Sequence, residues 1–279
     1  MTTAEQLPGP QDLSDEEREA VETLLFRLAD DEFVVAERYT EWQVRAPTLE
    51  SDLALANITQ DELGHARLWY DLLQDFGSDE PDLIWERPAD EWRHSTLTEL
   101  PFGDGDWAEP VLRSYLYDVA EEIRLEALVD SSYARIRDRV GKIQDEEDYH
   151  REHAENWLER LCEDDQGRER VQQALDRLLP HALTLFEPAD EAVEERIDDL
   201  GLRTESLADM REAWLDTVVP YLEGLGLDVD EDADLPEAVG RDFSHTDDWD
   251  GLWEEFTRTY RELGRSEATR IMKDPDEVE

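Results

Sequence analysis

Four stretches of the chain place apolar residues at steps of three and four, the spacing at which side chains share one face of an α-helix. The first row reads Leu25, Leu28, Glu32, Val35, Tyr39, Trp42. The second reads Leu55, Ile58, Glu62, His65, Trp69, Leu72. The third is Val111, Tyr115, Asp118, Glu122, Leu125, Val129, beside a more apolar row of Leu112, Leu116, Val119, Ile123 and Ala127. The fourth is Ile136, Val140, Ile143, Glu147, His150, Ala154, Trp157, Leu161. These rows predict helices over about 14–43, 50–75, 107–129 and onward to Leu161. Ser14 and Glu17 have capping-box spacing at the first start.

The breaks between the rows set the topology. Residues 45–48 (RAPT) are a short breaker, so the second helix returns antiparallel to the first. Asp130, Ser131 and Ser132 make a similar break between the third and fourth. Between the pairs lies a longer, helix-poor stretch, 76–105, holding Gly77, Pro81, Pro88, Pro101, Gly103 and Gly105, with Trp85, Trp92 and Trp107 in or beside it. Two close helix pairs joined by one long crossover make an all-α fold with the topology of ferritin-like four-helix bundles. Further helices are expected near 168–185, 203–224 and 247–264, with 227–237 a solvated acidic loop. Residues 1–13 are expected to be disordered. Residues 14–265 are expected to form a single helical domain (bundle 14–162, packed C-terminal helices 167–265), and 266–279 an acidic tail.

Composition narrows the setting. Of 279 residues, 76 are acidic and 27 basic, a formal charge of −49, and Lys142 and Lys273 are the only lysines. Nucleic acid is excluded as a partner, because its binding energy comes from phosphates meeting Lys and Arg. The acids are spread over every segment, which points to a hypersaline, halophilic setting. At molar salt the Debye length falls to about 3 Å and self-repulsion is screened. Cys162 is the only cysteine, so no intrachain disulfide exists. No secretory signal and no membrane-length apolar run is present, and a cytoplasmic location is expected.

The acids and histidines inside the rows carry the chemistry. Glu62 and His65, and Glu147 and His150, are two Glu-x-x-His pairs that interrupt core-facing stripes. Glu32 precedes Glu62 by 30 residues and Asp118 precedes Glu147 by 29, whereas Glu122 would give 25. One acid from each of two helices plus Glu-x-x-His from each of the other two is the dinuclear carboxylate arrangement. Glu32, Glu62, His65, Asp118, Glu147 and His150 are therefore candidate metal ligands, with Glu122 the alternative to Asp118. Mixed oxygen and imidazole donors suit two iron or manganese ions. The competing reading is a bundle without metal, whose buried acids and imidazoles are paired by hydrogen bonds.

Other residues read more plainly. Glu91 with His94, and Asp242 with His245, repeat the acid-x-x-His spacing outside any apolar helical row and read as coincidental. His153 lies off the His150 stripe, at the surface or behind the ligands. His181 belongs to packing, and His245 could cap a helix. Cys162, Tyr39 and Tyr115 read as core. No Gly-rich phosphate loop is present, so nothing indicates a nucleotide or flavin.

The segments ESDLALANITQDELGHARLWYDLL (50–73), RLADDEFVVAERYTEW (27–42), YHREHAENWLERL (149–161) and FSHTDDWDGLWEEF (243–256) resemble the C-subunit family of phenylacetyl-CoA epoxidase, or ring-1,2-phenylacetyl-CoA monooxygenase. The similarity runs from about residue 20 to 265. It implies a multicomponent complex that epoxidises the ring of phenylacetyl-CoA in aerobic phenylacetate degradation, using dioxygen and electrons from a flavin and iron–sulfur reductase. It implies that the catalytic di-iron centre belongs to the related A subunit, with this chain as its structural partner. The family's C subunits often lack part of the ligand set; this chain departs from them in keeping all six candidates. A self-sufficient di-iron oxygenase or oxidase, and a metal-free scaffold, are the alternatives.

Overall fold

The structure, a computed structural model, describes residues 6–103 and 106–264, residue 145 by its backbone alone. The capping box at Ser14 forms. The Glu17 amide donates to Ser14 Oγ at 3.3 Å, and the Glu17 carboxylate accepts from the Ser14 amide at 2.8 Å. It opens α1 (Asp15–Thr40). Thr48 caps α2 (Leu49–Leu73) by accepting from the Ser51 amide at 3.1 Å. Among its described residues the crossover contains short 3-10 and π-helical turns and the four-residue α3 (Thr96–Glu99). The second pair is α4 (Ala108–Leu128) and α5 (Ala134–Cys162). α1 packs mainly on α2, α4 on α5, and α2 meets α5 across the bundle.

The buried apolar side chains fall into two clusters. One holds Leu25, Leu28, Trp69, Leu125, Val140 and Ile143. The other holds Val35, Tyr39, Ile58, Tyr115, Ala154 and Leu158. On α1, α2 and α5 the candidate ligands lie between the two. Glu32 falls between Leu28 and Val35, Glu62 and His65 between Ile58 and Trp69, and Glu147 and His150 between Ile143 and Ala154. Two apolar plugs thus enclose one polar layer.

The C-terminal helices wrap this core. α6 (Asp165–Leu183) lies on α4 and α5, with Asp164 Oδ1 capping the amides of Gln166 and Gly167 at 2.9 Å each. α7 (Glu191–Asp199) lies on α1, and α8 (Leu207–Gly224) on α4, where the Trp214 indole donates to the Leu116 carbonyl at 3.0 Å. α9 (Trp249–Glu262) covers the crossover; its Trp249 and Trp253 indoles donate to the Ala89 and Arg87 carbonyls at 2.8 and 3.0 Å.

Three expectations change. Residues 6–13 are ordered against the bundle: the Leu7 amide donates to the Ser132 carbonyl at 3.1 Å, and Leu7 and Leu13 pack on the core. Residues 1–5 and 265–279, including the expected acidic tail, lie outside the described residues. The first helix ends at Thr40 rather than Gln43, where the Glu41 amide closes on the Arg38 and Tyr39 carbonyls. α7 was not foreseen, because its nine residues bury only Val193 and Ile197 as apolar anchors among acids.

Candidate metal centre

At the middle of the bundle the four helices bring their interrupting acids and imidazoles together. Glu32, Glu62, Asp118 and His150 are at most 1 % exposed, and His65 and Glu147 at most 3 %. His65 Nδ1 lies 3.2 Å from Glu147 Oε1 and 3.9 Å from both Glu32 Oε2 and Glu62 Oε2. His150 Nδ1 lies 3.6 Å from Glu62 Oε1 and 3.5 Å from Glu147 Oε1. The donor atoms form two groups, Glu32–Glu62–His65 and Glu62–Glu147–His150, each within 4.8 Å. Glu62 belongs to both groups. Asp118 is buried beside them, its Oδ2 accepting from Ser114 Oγ at 2.8 Å.

Both imidazoles turn Nδ1 inward and Nε2 outward. His65 Nε2 meets Glu146 Oε2 at 2.7 Å, and His150 Nε2 meets Asp61 Oδ2 at 3.4 Å. The exchange is reciprocal: α5 supplies the acid behind the α2 histidine, and α2 the acid behind the α5 histidine. Carboxylates in this position fix ring orientation and raise the basicity of a ligating nitrogen. The signal is in the sequence, since Asp61 and Glu146 each directly precede the Glu of Glu-x-x-His, yet sequence reasoning missed it.

The electrostatics describe a layer short of positive charge. Burial, then the charges of Glu121 and Glu62, push Glu32 well above the usual carboxylate range. Burial, reinforced by Glu147, does the same to Asp118. Burial also raises Glu62, against the pull of the neighbouring Glu32 carboxyl and the two imidazoles. Glu147 goes the other way: contacts from His150 and His65 outweigh burial and hold it at about 2. The histidines answer in kind, with His65 raised to about 9 and His150 to about 10 against their burial, chiefly by Glu147.

Whether these residues fit a metal pair is tested by their unmet bonds. Both oxygens of Glu32, Glu62 and Glu147, Nδ1 of His65 and His150, and Oδ1 of Asp118 are buried without a well-aligned hydrogen-bond partner. A buried polar atom left unpaired costs about 1–3 kcal/mol, more when charged. So many converging on one layer fit cations better than they fit each other. The donor set, carboxylates with two imidazoles and no thiolate, suits iron or manganese.

Glu122 is not part of the layer. Its side chain is 48 % exposed and pairs with Arg151 on the surface, whereas Asp118 is buried. Glu121 was overlooked: it is fully buried, it leads the charges acting on Glu32, and its Oε2 accepts from the Arg124 guanidinium. Glu91 and Asp242 are both exposed, so neither pairs with the histidine three residues on. His181 is a packing residue whose Nδ1 meets Thr96 Oγ1 at 2.9 Å, with burial lowering it to about 4. His153 lies near the surface, and Cys162, Tyr39 and Tyr115 are buried.

Residues 1–266 match the family model described as Phenylacetic acid catabolic protein. The chain is 32 % identical over 195 residues to the C subunit of 1,2-phenylacetyl-CoA epoxidase from Escherichia coli (strain K12), covering 67 % of this chain and 75 % of that one. It is 25 % identical over 236 residues to the A subunit of the same epoxidase and organism, covering 82 % and 74 %. Among solved structures it superposes, with a TM-score of 0.58 and 18 % identity, on a Synechococcus protein with aldehyde deformylating oxidase activity, covering 77 % of this chain and 93 % of that one. At that identity the superposition speaks for the ferritin-like fold.

Proposed function

The chain belongs to the phenylacetic acid catabolic protein family, and from that premise we propose that it is one subunit of a multicomponent, oxygen-dependent epoxidase acting on phenylacetyl-CoA. Its partners in this reading are a homologous A subunit, the other subunits of the complex and a reductase that delivers electrons. Similarity to both the C and the A subunits of one epoxidase supports a place within such an assembly. The observation that carries the rest is the buried layer with its unmet donor atoms. It favours a subunit that holds its own metal pair over a metal-free scaffold beside a catalytic partner.

In this reading Glu32, Glu62, His65, Asp118, Glu147 and His150 would hold two iron or manganese ions, Glu62 being common to both donor groups. When bound, such a pair supplies activation of dioxygen. The chain's own residues do the rest. Glu146 and Asp61 keep the Nδ1 atoms of His65 and His150 aimed inward. The apolar plugs around Leu28 and Trp69 on one side, and Val35 and Ile58 on the other, keep bulk water from the layer. Arg124 holds Glu121 and Asp31, which flank Glu32, so the approach of acids to that ligand is fixed. The dispersed surface acids support operation in molar salt.

The test is co-expression with the other family chains of the same source, followed by affinity capture on this one. A stable complex with a second, different family member, and phenylacetyl-CoA-dependent oxygen consumption only in that complex, is expected. Full turnover by this chain alone would instead identify a self-sufficient oxidase.

A further inference from the structure

A second histidine–carboxylate cluster lies outside the bundle layer, where two distant segments meet. His94 stands two residues before α3, Glu99 ends α3, and His245 lies in the turn before α9. His94 and Glu99 are fully buried and the His245 side chain is 6 % exposed. His94 Nε2 lies 2.6 Å and His245 Nδ1 2.8 Å from the same oxygen, Glu99 Oε2. The two rings stack with centroids 4.4 Å apart and planes 21° off parallel. Gly240 makes the approach possible: its φ is +81°, and any side chain there would collide with the His94 carbonyl.

Two of the three outward-facing atoms, on His245 and Glu99, are tied down as well. His245 Nε2 meets the Trp92 carbonyl at 3.0 Å, and Glu99 Oε1 accepts from the Thr246 amide at 2.6 Å. An imidazole whose far nitrogen is held by a backbone carbonyl, beside a carboxylate whose far oxygen is held by an amide, is how metal ligands are oriented. Trp249 packs on His94 with ring centroids 4.2 Å apart, which keeps the site dry on that side.

We propose that His94, Glu99 and His245 form a binding site for a single divalent transition-metal ion, zinc by its donor set, separate from the bundle layer, which pins the α9 segment to the crossover. Two imidazole nitrogens and one carboxylate oxygen are a protein ligand set that zinc takes, with water in the fourth position. Bonds of about 2.0–2.2 Å to all three require the donors to part from 2.6–2.8 Å to roughly 3.3 Å, a shift within reach of the Glu99 side-chain torsions. Protons balance as follows. Without metal, the contacts to the Glu99 carboxylate and to the Trp92 carbonyl call for hydrogens on His94 Nε2 and on both nitrogens of His245. Zinc replaces the facing hydrogens. The His245 Nδ1 proton leaves to solvent, and the His94 proton moves to Nδ1, which has no hydrogen-bond partner. The site does not depend on the epoxidase reading, and either can fail without the other.

The experiment is equilibrium dialysis of the full chain against Zn2+, counted by mass spectrometry of the metal, for wild type and His94→Gln. The variant is expected to retain one zinc per chain fewer than wild type, with unchanged circular dichroism. An anomalous difference map at the zinc edge from wild-type crystals is expected to show a peak bonded to His94 Nε2, His245 Nδ1 and a Glu99 oxygen. Equal zinc counts in the two proteins, or a map with zinc in the bundle layer and none at Glu99, would overturn the proposal. The map decides by itself if His94→Gln fails to fold.

Discussion

Replacing Asp31 with Ala should be among the most damaging single changes outside the ligand layer. Asp31 is fully buried, one residue before Glu32. Its carboxylate accepts from Arg124 Nη1 at 2.5 Å, from Arg241 Nη1 and Nη2 at 3.0 and 2.7 Å, and from the Ser95 amide at 2.7 Å. Burial alone would raise its pKa; Arg241 and Arg124 reverse that and hold it below the usual value. Arg241 is fully buried and the Arg124 side chain only 4 % exposed, so Asp31→Ala strands two guanidiniums away from water. Removing one partner of a buried ion pair costs about 3–5 kcal/mol. Arg124 keeps Glu121, and Arg241 keeps the Arg93 carbonyl at 2.9 Å, which limits the loss to about 4 kcal/mol. For a chain of this size that is a fall in Tm of about 8–16 °C. The assay is thermal and urea unfolding at fixed molar KCl, with Arg241→Met and the double variant completing a cycle. The pair is expected to couple by more than about 1 kcal/mol. A loss below about 1 kcal/mol for Asp31→Ala, or strict additivity in the cycle, would refute the claim that this network fixes the backbone carrying Glu32.

Asp61→Asn and Glu146→Gln should each weaken metal binding by about 10–100-fold while leaving helix content unchanged; metal titration followed by circular dichroism checks this, and unaltered affinity in both would remove the reciprocal orienting role. His94 is held down to about 4, from 6.5, by burial and then by His245. Its folded value is depressed, so chelator-treated protein should lose about 3 kcal/mol as pH falls from 6.5 toward 4. Urea midpoints across that window should be flatter for His94→Asn than for wild type, and parallel curves would contradict the assignment. Dilution from molar KCl to about 0.01 M salt, where the Debye length grows to about 30 Å, should unfold the chain through self-repulsion of its −49 charge. Retention of native circular dichroism there would remove the halophilic reading.

The bundle was legible because its signal is local. Steps of three and four survive wherever one face of a helix is apolar, so α1, α2 and α5 declared both their cores and the polar interruptions in them. α4 was harder. It is buried on nearly every side from Ala108 to Glu121, so its sequence does not say which direction faces the ligands. Glu122 follows Asp118 on the same nominal row, yet it emerges into solvent, while the inward acid one position earlier, Glu121, was passed over. The His94–Glu99–His245 cluster was illegible for a different reason. Its histidines were judged by the acids three residues before them, Glu91 and Asp242, whereas their shared partner is Glu99, five residues after one and 146 before the other. No periodicity reports a contact made by a turn at Gly240 folding onto a short helix within a Pro-rich crossover. The acidic composition hid α7 in the same way, since two apolar anchors leave almost no stripe to see.

The layer between the two apolar plugs is most directly tested by the metal content of the chain itself. Protein purified in molar KCl after expression with ample iron and manganese should carry about two ions per chain, and Glu62→Ala, which removes the shared ligand, should release both. Wild-type protein that is fully folded and carries only traces of either metal would mean that Glu32, Glu62, His65, Asp118, Glu147 and His150 satisfy one another without cations.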